Sequence, residues 1–405
     1  MHIISKKHQE GKLTGIKVCR LATVPFFLLT QLKTQVEFLQ ESGVDVIMVS
    51  SSGPEIESLI EANIAHVTID IPRAISLWRD VISFWNLYRF FRKQQFSVVH
   101  STTPKAGLLT SIAGLIAGVP VRLHTFTGQQ WVSMVGLPRF VSRLADRLIG
   151  LLNTRCYADS RSQRQFLVDE GLIAPGRIQV IGHGSLAGVD LDRFDPGRWS
   201  EEDKKRIKEK LGLSQVSTVL IFIGRISREK GIRELLDAFR RVREKNKCEV
   251  ELLLLGPHDE DRGGSDGVSR ELLVAAGVHY IGYTDVPEKF LAIADLLCLP
   301  SYREGFGTVV IEAAAMGIPT LGTRINGLID AVEEGQTGVL VPPKNEQALY
   351  DSLCYLLAHP QEIKKLGEAA RNRCRRLFDT SVVGSLVVKE YYNLLTERNS
   401  SPRAT

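Results

Sequence analysis

Residues 294–323 read ADLLCLPSYREGFGTVVIEAAAMGIPTLGT. The apolar run ADLLCLPS ends as a strand at about Pro300, YREGFG forms a turn, and TVVIEAAAMG continues as a helix that Gly317 and Pro319 stop. IPTLGT then opens a second strand. Apolar residues follow one another in both runs rather than alternating with polar ones. A strand reads this way when it lies in a parallel sheet with helices on both faces.

The same alternation runs the length of the chain. IKVCRLAT, DVIMVSS, VVHS and VRLHTFTG read as strands of a first sheet, with helices through LLTQLKTQVEFLQES and KAGLLTSIAGLIAG between them. The pattern restarts after the charged interval DPGRWSEEDKKRIKEKLGLSQ with STVLIFIGRI, CEVELLLLG, HYIGY and the two strands quoted above. At 405 residues the chain is too long for one compact core. The expected fold is α/β, two Rossmann-like doubly wound parallel-sheet domains facing a central cleft and joined near residues 184–216. The expected domains are residues 1–196 and 197–405, with a last helix at about 382–398 packing back on the first. Ligands of such sheets bind beyond the carboxyl ends of the strands.

Composition narrows the class. With 44% hydrophobic and 24% charged residues the chain reads as an ordinary globular enzyme or binding protein, not a disordered one. Six cysteines, Cys19, Cys156, Cys248, Cys298, Cys354 and Cys374, show neither CxxC nor Cys/His spacing, so no disulfide framework or zinc site is signalled and a reducing compartment is expected. GLLTSIAGLIAGVPV, about fifteen residues, is too short and glycine-broken to span a membrane. The polar start MHIISKKHQEGKLTG argues against a secretory signal. Residues 1–200 hold 22 Lys+Arg against 16 Asp+Glu, and residues 201–405 hold 29 against 30. The near +6 of the first half points to an anionic partner there.

The chemistry gathers around the quoted turn. The start of a helix at Thr308 presents free N–H groups and a positive dipole end, a seat for a diphosphate, and Gly305 and Gly307 allow close backbone approach. Glu312, four residues beyond Thr308, lies about 6 Å further along the axis. Glu304 precedes the helix, so one carboxylate falls on each side of the phosphates, as a ligand made of sugar, diphosphate, ribose and base requires. Each glutamate has a plainer reading as well: Glu304 can complement the helix dipole, and Glu312 can belong to a buried ion pair. A second signal is FIGRISREKGI, residues 222–232, where a strand ending at Gly224 delivers Arg225 and then Lys230. A guanidinium and an ammonium converging on one point suit a leaving diphosphate, whose charge grows as the sugar–phosphate bond breaks. Arg228 and Arg233 read as a solvated helix start.

GRISREKGI, HYIGYTDVPEKF and SYREGFGTVVIEAAAMGIPTLGTRINGLIDAVEEGQTGVLVPPKN together resemble the core of the family 4 retaining glycosyltransferases of the two-Rossmann (GT-B) fold. The Glu-x7-Glu element stands here as Glu304 and Glu312. The resemblance implies that the second domain binds a nucleotide-sugar donor, UDP-linked. Gly224, Arg225 and Lys230 would hold its diphosphate, and Glu304 with the backbone of Gly305, Phe306, Gly307 and Thr308 its sugar. Glu312 would hold the ribose, and Tyr280, Ile281 and Gly282 would border the base. The first domain resembles more narrowly a bacterial branch acting on polyprenyl-diphosphate-linked saccharides, through VVHSTTPKAGLLTSIAGLIAGVPVRLHTFTG and GHGSLAGVDLDRFDP. His124, after the strand VRL, matches the family's cleft histidine that touches the transferring sugar. Lys105, at a helix start, is placed to grip an acceptor phosphate. Catalysis is thus assigned to His124, Glu304, Arg225 and Lys230. Retention implies front-face transfer with the leaving phosphate taking the acceptor proton, and no DxD-type cluster calls for a metal or other cofactor. The chain departs from many family members in its first loop, LATVPFFLLTQL, which lacks a Gly-Gly turn.

Two stretches suit an anionic bilayer. WRDVISFWNLYRFFRKQQF, residues 78–96, interleaves Trp78, Phe84, Trp85, Phe90 and Phe91 with Arg79, Arg89, Arg92 and Lys93, and PRFVSRLADRLIGLL sets Arg139, Arg143 and Arg147 on one helical face. Aromatic stripes also form cores and basic stripes also face water. The expected location is the cytoplasm, peripheral at the inner face of the cytoplasmic membrane. Alternatives of the same fold are a hydrolysing nucleotide-sugar 2-epimerase and a non-catalytic nucleotide-sugar-binding scaffold. No nucleic-acid module is present.

Overall fold

The computed structural model describes residues 13–73, 76–245, 249–258, 268 and 270–400. Cys248 and residues 1–12, on which the cysteine and N-terminal readings partly rest, lie outside them. The chain forms two compact units, residues 1–187 together with 380–405, and residues 188–379. The expected boundary at residue 196 therefore lies inside the second unit. The charged interval is not a linker: Glu201–Lys210 is a helix closed by a Ser200/Asp203 capping box, and Ile207 on it enters the second unit's core.

The first unit holds seven parallel strands. In chain order they are β1 (Lys17–Leu21), β2 (Asp45–Ser50), β3 (Ala65–Thr68), β4 (Val98–Ser101), β5 (Val121–Phe126), β6 (Arg155–Ala158) and β7 (Ile178–Gln179). Their spatial order is β3-β2-β1-β4-β5-β6-β7, which reverses direction between β1 and β4. Leu77–Gln94 turns Ser83, Leu87 and Phe91 inward and packs on Pro104–Ile116, which packs in turn on Gly136–Leu152. The last helix, Thr380–Ser400, packs on Lys33–Glu41 of this unit. Its Tyr391 hydroxyl accepts from Arg20 Nη1 at 2.9 Å and lies 2.6 Å from His100 Nδ1. Arg20 is fully buried and also donates to Gln35 at 2.8 Å, so the helix is fixed by a polar core as well as by Val387.

The second unit repeats the plan with six parallel strands. These are β8 (Thr218–Ile223), β9 (Val250–Leu255), β10 (Val278–Gly282), β11 (Leu296–Leu299), β12 (Thr320–Thr323) and β13 (Gly338–Val341), ordered β10-β9-β8-β11-β12-β13. All four residues of β11 and the middle four of β8 are buried, as expected for strands covered on both faces. The Ile232–Lys245 helix sets Leu235, Leu236, Phe239 and Val242 along one side and turns its charges outward. The order reverses between β8 and β11, and the carboxyl ends of those two strands carry the two sequence signals of this domain.

Candidate functional site

β8 ends at Ile223, and Gly224 and half-buried Arg225 follow. A short turn, Arg228–Lys230, leads to Gly231, whose φ of 68° suits glycine and whose Cβ, were there one, would stand 2.1 Å from the Pro300 carbonyl oxygen. The chain leaving β8 is thereby pressed against the end of β11. Three polar contacts hold the two loops together: Tyr302 N–H donates to Glu229 O at 2.8 Å, Arg303 to the Glu229 carboxylate at 3.0 Å, and the Tyr302 hydroxyl to Glu234. Arg228 and Arg233 are exposed, as expected of a solvated helix start.

At the centre of this junction Lys230 Nζ donates to Glu304 Oε1 at 2.5 Å, and Ser301 Oγ donates to the same oxygen at 2.7 Å. Thr323 at the end of β12 holds the Ser301 carbonyl. Glu304 Oε2 has no hydrogen-bond partner among the described residues, so one oxygen is anchored while the other remains an acceptor. Lys230 thus meets Glu304 directly, where the sequence had suggested a diphosphate contact alone.

The turn beyond Glu304 is shaped by glycine. Gly307 caps the Thr308–Ala315 helix at φ 90°, and a Cβ on Gly327, at φ 88°, would meet Gly305 O at 2.5 Å. Phe306 turns its ring into the core against Phe378, centroids 5.2 Å apart, so only its backbone can serve a ligand. The helix ends as expected: Gly317 at φ 80° and the bonds Gly317 N to Ala314 O and Ile318 N to Ala313 O form a Schellman close.

Glu312, in the second turn of this helix, keeps some exposed surface, yet burial pushes its carboxyl up to about 7. Arg193 opposes that rise and Glu288 adds to it. No hydrogen bond to either Glu312 oxygen is found among the described residues. Arg193 itself is paired with Glu288 at 2.8 Å and donates to the Asp285 carbonyl. Tyr280, Ile281 and Gly282 are half-buried at the end of β10, whose register against β9 shifts between Tyr280 and Gly282. The Gly282 carbonyl receives Gly256 N–H at 2.8 Å.

The two candidates of the first unit both meet protein groups. His124 does not follow a strand; it lies inside β5, 1% exposed, with Nδ1 2.9 Å from Ser101 Oγ and its ring edge-on to Phe126. A Cβ on Gly107 would meet its ring at 2.5 Å, so the helix above seats on it closely. Burial lowers its pKa to about 3, which leaves the imidazole neutral. Lys105 begins the Pro104–Ile116 helix as expected, but its ammonium is 2.6 Å from Asp80 of the neighbouring helix. In the first loop, where the sequence lacks a Gly-Gly turn, Thr23 N–H bonds to Thr103 Oγ1 at 2.9 Å and links the ends of β1 and β4.

Ser301, Gly231, Gly327, Arg193 and Glu288 were not picked out as site residues from sequence. The first three stand beside quoted motifs and carry a local signal, a hydroxyl after a strand end or a glycine at a turn. Arg193 and Glu288 also stand inside quoted motifs, GHGSLAGVDLDRFDP and HYIGYTDVPEKF, but neither stretch announces their pairing across 95 positions of sequence.

The switch point of the second sheet thus brings together Arg225, the Lys230–Glu304 pair and a glycine-capped helix start, an arrangement suited to an anionic ligand. Residues 30–184 match the model of a glycosyl transferase 4-like domain, and residues 203–373 that of glycosyl transferases group 1. The chain belongs to the glycosyltransferases of the two-domain, GT-B type. It is 29% identical over 367 residues to the capsular polysaccharide biosynthesis glycosyltransferase CapM of Staphylococcus aureus, covering 90% of this chain and 94% of that one. It is 26% identical over 374 residues to the UDP-Gal:alpha-D-GlcNAc-diphosphoundecaprenol alpha-1,3-galactosyltransferase of Escherichia coli, covering 89% and 91%. Among solved structures, that of Anabaena HepE in complex with UDP and glucose superposes with a TM-score of 0.77 over 93% of this chain and 99% of that one. At 18% identity the last likeness is one of fold.

Proposed function

We propose that this glycosyltransferase moves a hexose or N-acetylhexosamine, with retention, from a UDP-sugar to a polyprenyl-diphosphate-linked saccharide during assembly of a bacterial surface polysaccharide. The observation that carries the reading is the Glu304 carboxylate, fixed through one oxygen by Lys230 and Ser301 beside a helix N-terminus. The name of the Escherichia coli relative supplies the diphosphoundecaprenol acceptor, and the Anabaena complex supplies UDP.

In this reading Glu304 Oε2 accepts from a donor-sugar hydroxyl, and Glu312 accepts from the ribose. Arg225, the remaining Lys230 donors and the helix N–H groups face the diphosphate, where negative charge grows in the transition state. The bond from the anomeric carbon to the β-phosphate oxygen breaks, and the bond to the acceptor oxygen forms on the same face. The acceptor proton passes to the departing phosphate, so neither a separate base nor a resident metal is required. The acceptor side is assigned to the first unit, with His124 and Lys105 as candidates; Lys105 would engage a phosphate by parting from Asp80.

The same unit is proposed to meet the inner surface of the cytoplasmic membrane. Trp78 is 77% and Phe140 64% exposed, each on a helix that also carries exposed arginines, Arg79 and Arg147 among them. Phe91 is core, and Arg143 is paired with Glu170 and lies over Trp131, so the contact falls to part of each stripe. Among the described residues no helix is long and apolar enough to cross a membrane.

The deciding experiment is turnover of UDP-sugars with a polyprenyl-diphosphate-linked saccharide, with the product's anomeric configuration read by NMR. Glu304→Gln is expected to lower kcat by about 10²–10³-fold, the effect of losing one charged contact made in the transition state, with the fold unchanged by circular dichroism. Wild-type turnover in that variant would sink the assignment. Release of UDP without any acceptor would favour the hydrolysing epimerase.

A further inference from the structure

The backbone ladder that holds β11 ends before the turn begins. β11 pairs with β12 as far as Leu299 and Gly322, and with β8 as far as Leu297 and Ile221. The three residues from Pro300 to Tyr302 are nevertheless fixed one by one. Gly231 presses on the Pro300 carbonyl, where a Cβ would stand 2.1 Å from the oxygen. The Ser301 carbonyl accepts from Thr323 Oγ1, and the Tyr302 N–H donates to the Glu229 carbonyl at 2.8 Å. Thr323 is itself the last residue of β12 and is paired with Val341 of β13. Ser301 is wholly buried and Thr323 is 1% exposed, so water does not compete for either hydroxyl.

Glu304 Oε1 accepts from two donors of different character. Lys230 brings an ammonium, a point charge with rotatable donors on a flexible stem, which attracts the carboxylate without fixing its rotation. Ser301 brings a hydroxyl carried directly on Cβ, so its place is set by the backbone that Thr323 holds. The Glu304 side chain keeps 13% of its surface open, which leaves its carboxylate within reach of a ligand.

We propose that Ser301, tethered to β12 by Thr323, is a positioning residue for the donor sugar: its hydroxyl sets the rotation of the Glu304 carboxylate, so that Oε2 meets a sugar hydroxyl at one fixed angle. The proposal rests on the donor reading above and deepens it. Sugar recognition then depends on a chain of contacts from β12 through Ser301 to Glu304, and the nucleotide is no part of that chain. Without the Ser301 hydroxyl, Lys230 can hold either carboxylate oxygen, and the sugar meets an acceptor with no set orientation. A site built to bond a hydroxyl loses that contact when its partner is misdirected by even an ångström.

The test separates sugar from nucleotide. Isothermal titration of the full chain with UDP, UDP-glucose, UDP-galactose and UDP-N-acetylglucosamine gives a Kd for each. In Ser301→Ala the Kd of whichever UDP-sugar the wild type binds best is expected to rise about tenfold, the effect of one hydrogen bond to a charged group, while that of UDP changes less than about twofold. Thr323→Val, which keeps the shape and removes the hydroxyl, should raise it severalfold, and Thr323→Ser, which keeps the hydroxyl, should restore it. The Thr323 pair carries the test if Ser301→Ala does not fold. Added to Glu304→Ala, Ser301→Ala should cost nothing more, because it acts only through the carboxylate. Equal weakening of UDP and UDP-sugar in Ser301→Ala, or a further loss in the Glu304→Ala background, overturns the proposal and leaves Ser301 a structural residue. So does wild-type binding in both Ser301→Ala and Thr323→Val when Glu304→Ala weakens the UDP-sugar. If Glu304→Ala itself binds the UDP-sugar as wild type does, or the wild type binds none of the three UDP-sugars, the donor reading fails and the proposal falls with it.

Discussion

Glu312 illustrates how a single residue can be kept against the interest of stability. Its carboxyl titrates at about 7 in the folded chain, above the usual value near 4.5, so the folded state holds its proton more tightly than the unfolded state does. Between those two values the native state binds more protons, and stability from this group falls as pH rises from about 4.5 to about 7. Glu312→Gln removes the penalty. It is expected to raise stability by about 2 kcal/mol at pH 8 and to leave it unchanged near pH 4, by urea denaturation at the two pH values. The same substitution should weaken UDP binding. No gain at pH 8 would mean that the carboxylate is better compensated than its surroundings imply. Phe306 makes the complementary point, since a residue inside the turn proposed to bind the donor is the hydrophobic peg that holds the turn down.

At the scale of elements, the site depends on two strand ends meeting. β8 and β11 lie side by side, and the glycine at 231 lets the first helix after β8 start against the Pro300 carbonyl. Gly231→Ala would place a methyl group 2.1 Å from backbone oxygen at a left-handed φ of 68°. A loss of about 3 kcal/mol in the second unit is expected, together with weakened UDP binding, because the Lys230–Glu304 pair must shift with the turn. Gly212, also left-handed at φ 69° but with open space around it, is the control: alanine there should cost about 1 kcal/mol and spare binding. Equal effects at the two positions, measured by thermal unfolding and UDP titration, would show that backbone strain alone and not the strand junction matters at Gly231. The strands that the apolar pattern missed, β3, β6, β7 and β13, are two to four residues long. In β3, β6 and β7 polar residues also interrupt so short a run, AHVT, RCYA and IQ, whereas β11, no longer, is apolar throughout.

For the molecule as a whole, net positive charge and exposed apolar side chains are concentrated in the first half of the chain. Trp78 and Trp85 project from one helix and Leu137 and Phe140 from another, while the helix between them buries most of its length. Co-sedimentation with anionic vesicles at low salt, reduced several-fold in Trp78→Ser/Phe140→Ser and weakened at 0.5 M salt, is the expected result, since screening shortens the reach of the arginines. Equal binding to neutral and anionic vesicles, or none, would remove the membrane assignment. The return of residues 380–405 to the first unit also belongs to this scale. Tyr391 meets Arg20 across 371 positions of sequence, a contact that no local pattern announces.

Local regularities were legible without the structure because they follow from local causes. Fully apolar strand runs alternating with amphipathic helices specify parallel sheets covered on both faces, twice over. The glycines around Phe306, the helix stop at Gly317 and the spacing of Glu304 and Glu312 are likewise properties of a short stretch of chain. What the fold alone decided is who meets whom. Strand order at the β8/β11 reversal turned Lys230 from a cation near a glycine into the partner of Glu304. Packing set His124 inside β5 and paired Lys105 with Asp80. Arg193 reached Glu288 across 95 positions of sequence. Side-chain type and spacing act over one or two turns, whereas the partner of a buried charge is chosen by which distant strands and loops the folded sheet brings within a few ångströms.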